Sequence, residues 1–252
     1  MEEILLFLVG LVVGVMNAIA GGGMLIGFPM LIAAGMPALA ASVTTSLVVL
    51  PGQVGAIVGY RKYLHKIPRS YAWLVIACAA GAAIGASILE RTSSSRFNEL
   101  IPGLLLVAVI LFATQPFLHS HLRRHLRGQT KSRWTIPLFS LALFPMAIYG
   151  GYFNVGFGFV VLAFLGFTNM RDIHQINLLK NIATLFIAVT LLAVLLKTGL
   201  VGWKYGLPMA GGCALGGYYG ARLAQRFSSH VIRIVVIVIG SAAVIYLGLR
   251  TY

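Results

Sequence analysis

The side chains able to make or break bonds are few in this chain, and they are badly placed for catalysis. Its five carboxylates, Glu2, Glu3, Glu90, Glu99 and Asp172, all stand at a terminus or at the end of an apolar segment. The histidines (His65, His119, His121, His125, His174 and His230) lie in connectors or near segment ends, where a solvated role is the default. No paired acids, no HExxH, no GxSxG and no Walker A run occurs. An intramembrane hydrolase, a metalloenzyme or an ATP-driven pump has nothing to work with, so no enzyme, metal or cofactor is expected. The polar residues that remain form two clusters. Ser42-Val43-Thr44-Thr45-Ser46 is followed by Pro51 and Gln53, and Asn177 is followed by Lys180-Asn181 and Thr184. Each cluster comes after a glycine-rich interruption: Asn17 with Gly21, Gly22 and Gly23 before the first, and Gly150-Gly151, Asn154, Gly156 and Gly158 before the second.

The elements that position these residues are membrane spans. Of 252 residues, 59% are hydrophobic and 10% charged, and mean hydropathy is +0.93, far more apolar than one soluble core requires. The net charge of +14 is concentrated in short connectors, Arg61, Lys62, Lys66 and Arg69 in one and Arg123, Arg124, Arg127, Lys131 and Arg133 in another. This is the pattern of the positive-inside rule, and it predicts cytoplasmic loops near lipid headgroups rather than a nucleic-acid surface. The start, Met1-Glu2-Glu3, lacks the basic region of a secretory signal, so the first apolar segment is read as mature protein.

Six apolar segments have the length of ordinary spans, but residues 4–35 and 134–167 are too long for one and too short for two. Glycine is the residue that opens a helix most readily, and both long segments carry glycines near the middle. Each is read as a re-entrant hairpin of two half-helices, whose broken tip is tolerable only inside protein or at a cavity. Residues 77–86 align with residues 212–221, matching Cys78 to Cys213, Gly81 to Gly216 and Gly85 to Gly220 at an offset of 135, and Asn17 answers Asn154 at 137. Thr45 and Ser46 fall opposite Lys180-Asn181 at offsets of 134 to 135.

The predicted architecture is therefore an all-α polytopic membrane protein of two repeats. Repeat 1 covers 1–120, with a hairpin at 4–35 and spans at 37–60, 71–89 and 100–118. A basic cytoplasmic connector follows at 121–133. Repeat 2 covers 134–252, with a hairpin at 134–167 and spans at 173–196, 203–221 and 231–249. Three spans per unit is an odd number, which makes the second repeat an inverted copy of the first. Lys and Arg counts alone do not choose between this topology and eight plain spans.

A half-helix that begins inside the membrane offers unpaired N–H groups and the positive end of its dipole, an arrangement suited to an anion. Gly21 to Gly23 are assigned to such a tip, whereas Gly81/Gly85 and Gly216/Gly220, at four-residue spacing, read as close helix packing. Lys180 lies about two turns into its span, where a charge marks function by default and would supply a full positive charge to the cargo; the bland alternative is a lysine snorkelling to the interface. Pro29 and Pro51 are expected to kink or break their segments. Cys78 and Cys213, singly, read as small buried hydrophobes, but their matched positions leave a thiol role open.

The run from Asn17 through Gly21-Gly22-Gly23 to Pro29, then Gly35-Met36-Pro37, Ala41 to Leu47 and Tyr60-Arg61-Lys62, resembles the sulfite exporter TauE/SafE family of membrane transporters, and Gly156-Phe157-Gly158 with Lys180-Asn181 is similar to that family too. The resemblance covers about residues 4 to 250. It implies a multi-pass permease of a bacterial or archaeal cytoplasmic membrane for a small inorganic or organic anion, often a sulfur oxyanion such as sulfite, an organosulfonate or a carboxylate. One side of the expected binding site is Asn17, Gly21, Gly22, Gly23, Thr44, Thr45 and Ser46, and the other is Asn154, Gly156, Gly158, Asn177, Lys180 and Asn181. Alternating access between the hairpin tips is the expected mechanism. A passive anion channel and a sulfur-handling protein using Cys78 and Cys213 are the alternatives, and a homodimer is compatible with all three.

Overall fold

A computed structural model describes residues 2–125, 135–165, 170 and 172–225. The expected span at 231–249 and most of the 121–133 connector lie outside the described residues. Within them the chain is helical: α1 (Glu2–Ile19), α2 (Met24–Ala33), α3 (Ala38–Gly59), α4 (Ala72–Glu90), α5 (Ser94–His125), α6 (Thr135–Tyr152), α7 (Phe157–Leu165), α8 (Ile173–Leu195) and α9 (Trp203–Leu223). By length and composition, Glu2–Ile19, Ala38–Gly59, Arg69–Glu90 and Ile173–Thr198 are long and apolar enough to cross a membrane. Their outward faces carry large apolar side chains such as Leu5 and Leu8 on α1 and Trp73 and Ile76 on α4.

Local sequence explains where the helices start and stop. Glu2 and Glu3 sit in the first turn of α1, at the positive end of its dipole. That helix ends where Gly21 takes a left-handed φ of 91°, and α2 begins only after Gly23. The end of α2 is a Schellman turn: Gly35, φ 93°, donates to the Ile32 carbonyl and Met36 to that of Leu31, and Pro37 then prevents the helix from resuming. Asp172 caps α8, its carboxylate accepting from the His174 N–H at 2.9 Å. Each long apolar segment is thus a long arm and a short one, 18 and 10 residues in the first and 18 and nine in the second. The short arms return only part of the way, about 15 Å for α2 at 1.5 Å per residue. Neither proline ends its helix: α3 runs through Pro51 for 22 residues, and α2 runs through Pro29.

The packing crosses between the halves. α9 packs against α1 and α3, while α4 packs against α6 and α8. Glycines make these approaches: Gly212, Gly216 and Gly220 of α9 lie on the α1 backbone at Phe7, Leu11 and Val15, and Gly81 and Gly85 of α4 lie on α6 at Phe144 and Ile148. A methyl group at any of them would overlap its neighbour, as expected for small-residue packing. The order of these contacts makes α1 and α9 run in one direction together, as do α4 and α6. Gly52, Gly55 and Gly59 of α3 meet Cys213, Ala214 and Ala221 in the same order, so α3 runs with α9. The Lys197 ammonium reaches the Glu90 carboxylate at 3.1 Å, bringing together the ends of α8 and α4. Tyr60, just past α3, stacks near His174 at the start of α8, with ring centroids 6.1 Å apart. Hence α3 and α8, the spans carrying the two polar clusters, point opposite ways.

Candidate functional site

Each break contains one glycine of positive φ, and the two breaks touch each other. Gly21 and Gly156 each have a positive φ, 91° and 82°, which a side chain would make costly. Gly21 and Gly158 pack backbone to backbone: a Cβ on Gly158 would lie 2.7 Å from the Gly21 oxygen, and one on Gly21 would lie 2.9 Å from the Gly158 carbonyl carbon. Gly22 faces the Phe159 ring and Gly23 the Val13 carbonyl, with no room for a methyl at either. Phe28 of α2 meets Phe153 edge-on, centroids 5.3 Å apart, which closes the contact from the apolar side.

The backbone here is left with donors to spare. Leu25 donates to the Gly22 carbonyl, and Ile26 and Gly27 donate to that of Gly23. Among the described residues, the N–H groups of Gly22, Gly23 and Met24 find no acceptor, and those of Val155, Gly156 and Gly158 likewise find none. All six residues are buried. Unpaired buried N–H groups are rare and costly, and here two sets of them flank one contact between two short helices. The positive dipole ends of α2 and α7 lie next to this contact, opposed by the carbonyl ends of α1 and α6.

Each break is also held by a side chain from the opposite half. The Lys180 ammonium of α8 donates to the carbonyls of Asn17 and Ala18, at 2.5 and 3.1 Å. These are last-turn carbonyls of α1, which have no helical partner and carry the negative end of its dipole. Lys180 is 1% exposed, so it does not snorkel, and its charge is shared with α1 rather than presented wholly to a cargo. In the other half, the Asn154 amide donates to the Ser46 hydroxyl of α3 at 3.3 Å. Lys180 and Ser46 stand 134 positions apart, the offset that relates the two polar clusters.

The remaining candidates are placed as follows. The Thr44 hydroxyl donates to the Ala40 carbonyl at 2.7 Å and accepts from the Gly202 N–H at 2.9 Å, so it anchors the start of α9. Thr45 donates back to the Ser42 carbonyl at 2.6 Å. Asn181 donates to the Asn177 carbonyl at 2.8 Å, and Thr184 donates to that of Lys180 at 2.9 Å. Ser42 and Gln53 belong beside Ser46: all three are buried on one stripe of α3, at i−4 and i+7 from Ser46, and among the described residues the Ser42 hydroxyl and Gln53 amide oxygen have no partner. That spacing was the available signal for adding them. Cys78 and Cys213 are both fully buried, in separate apolar clusters, Cys213 with its sulfur against Gly52. Their surroundings are those of packing side chains. Among the described residues, no group of three or more histidines, cysteines or acids is placed to hold a metal.

Comparison with known proteins adds a family to this geometry. The family model described as "Sulfite exporter TauE/SafE" matches residues 6–247. A "probable membrane transporter protein" of Haemophilus influenzae is 28% identical, the match covering 93% of this chain and 89% of the relative. A "probable membrane transporter protein ORF9" of Sinorhizobium is 28% identical over 96% and 90% of the two chains, and the "probable membrane transporter protein YfcA" of Escherichia coli K12 is 29% identical over 94% and 86%. No solved structure matches significantly.

Proposed function

The chain belongs to the sulfite exporter TauE/SafE family and is a multi-pass membrane transporter, and on that premise we propose that it carries one small anion between its two helix breaks by alternating access. The observation that carries this reading is the contact of Gly21 with Gly158, because buried N–H groups without acceptors occur in both of the breaks that meet there. Unpartnered donors held in fixed backbone bind an anion with little reorganisation, and the cargo class proposed is a small oxyanion such as sulfite or a sulfonate.

The exchange symmetry of the packing supports the mechanism. If the second repeat is an inverted copy of the first, α1, α3 and α9 correspond to α6, α8 and α4, and their opposite directions and swapped contacts follow. An inverted pair can open to either side by exchanging the conformations of its two halves around one site. The grouped polar residues, which do not extend along a path, favour one occluded site over a channel.

Counterflow tests this reading. Proteoliposomes holding purified protein and unlabelled sulfite inside are given labelled sulfite outside. Accumulation that is saturable and faster with internal anion supports an exchanger; flux that does not saturate and ignores the internal anion would indicate a pore.

A further inference from the structure

We propose that the cargo is an anion that also carries a hydrogen-bond donor, as hydrogen sulfite, a hydroxysulfonate or a hydroxycarboxylate does, and that the Asn181 side chain receives that donor. The proposal rests on the anion reading above and narrows its substrate class.

The site's inventory of donors and acceptors is two-sided. The N–H groups of the breaks need acceptors, which any oxyanion supplies. The polar clusters of α3 and α8 in turn bury acceptors that need donors. The Asn181 Nδ2 group donates to the Asn177 carbonyl at 2.8 Å, which settles which end of the amide is oxygen. That oxygen, on a residue 0% exposed, has no hydrogen-bond partner among the described residues. The Asn177 and Gln53 amide oxygens and the Ser42 hydroxyl are in the same condition.

Asn181 is placed to meet a cargo at the break. It lies on one stripe of α8 with Asn177, Thr184 and Ala188, next to Leu178. Leu178 belongs to the apolar cluster that holds Ala18, and Ala188 to the cluster that holds Ala20 and Met24. α8 packs against α3, which carries the other polar cluster, and against α7, the short arm of the second break. Its neighbour in sequence, Lys180, is the residue that touches α1 directly.

Three kinds of occupant can be weighed against this arrangement. A fully deprotonated oxyanion satisfies the N–H groups and leaves every amide oxygen bare. A bound alkali cation would satisfy the oxygens, but the Lys180 ammonium, one residue away, opposes it. An anion with one O–H or N–H satisfies both sets at once.

The test uses isosteric pairs. Binding of hydroxymethanesulfonate and ethanesulfonate, and of glycolate and propionate, is measured with purified wild-type protein and with Asn181→Leu. The members of each pair have the same charge and nearly the same size, and only one donates. In the wild type the hydroxyl compound binds at least about tenfold more tightly, the effect of one good hydrogen bond in a site built to receive it. In Asn181→Leu it falls to the level of its partner. Equal affinities in the wild type overturn the proposal and leave the anion site standing. A preference that survives in Asn181→Leu overturns the assignment to Asn181. If no member of either pair binds, the anion reading fails and this inference with it.

Discussion

At the first break a charged side chain from the second half grips the end of α1, and at the second break a neutral hydroxyl from the first half meets Asn154. Each contact joins a break to the polar cluster of the opposite half, yet their electrostatics differ. A helix that stops inside a membrane leaves carbonyls without partners, and next to them the following short helix presents N–H groups of opposite polarity. Left alone, the two dipole ends oppose each other at the break. Lys180 offsets the negative one at α1, so the α2 end acts on a cargo with less opposition. Nothing charged does this at the end of α6 among the described residues. The comparison shows two helix breaks held differently, one by a charged wall and the other by a neutral one.

Removing the charged wall has the largest expected effect. Lys180→Ala leaves the Asn17 and Ala18 carbonyls without their donor, at a cost of about 1–3 kcal/mol for each buried group and more where no water can reach. Anion uptake in proteoliposomes is lost while the protein still inserts; undiminished uptake would remove Lys180 from the site. Next come the paired turns. Gly21→Ala and Gly156→Ala each force a methyl into left-handed backbone, roughly 1–2 kcal/mol of strain. At Gly21 the methyl also meets the rigid backbone of Gly158, whereas at Gly156 it meets the Ala108 methyl at 2.9 Å. Thermal melting of the two variants in detergent therefore separates them, with Gly21→Ala the less stable, and the reverse order would contradict the backbone contact between the breaks.

Ser46→Ala removes one neutral hydrogen bond, worth about 0.5–1.5 kcal/mol, and lowers uptake a few-fold rather than abolishing it. A loss as complete as that of Lys180→Ala would erase the difference between the two walls. The smallest effect is that of Cys78→Ala with Cys213→Ala, a change of packing by one sulfur at each site. Transport persists in this double variant, and its abolition would revive a thiol mechanism.

Much of the architecture was legible in the sequence because its causes are local. Segment length against bilayer thickness identified the two anomalous regions, and glycine backbone freedom located the interruptions around Gly21 and Gly156. The four-residue spacing of Gly216 and Gly220 announced a close helix contact, though not that the partner would be α1. What stayed hidden depends on tertiary partners. Nothing near Lys180 in sequence says that its ammonium will end on carbonyls 162 and 163 positions away. Thr44 looked equivalent to Thr45 and Ser46, yet the roughly 100° between successive helical residues directs it to Gly202 at the start of α9. Pro51 carries a strong local signal against helix continuity, and the packing of α3 between α8 and α9 overrides it.

The central claim is that the two breaks make one anion site, and the stoichiometry of binding tests it most directly. Isothermal titration of the purified wild-type chain with sulfite at mildly acidic pH, where hydrogen sulfite is the main form, is predicted to give one anion per chain. Two anions per chain would mean that each break binds on its own, and the absence of any saturable binding would mean that the breaks do not bind this anion at all.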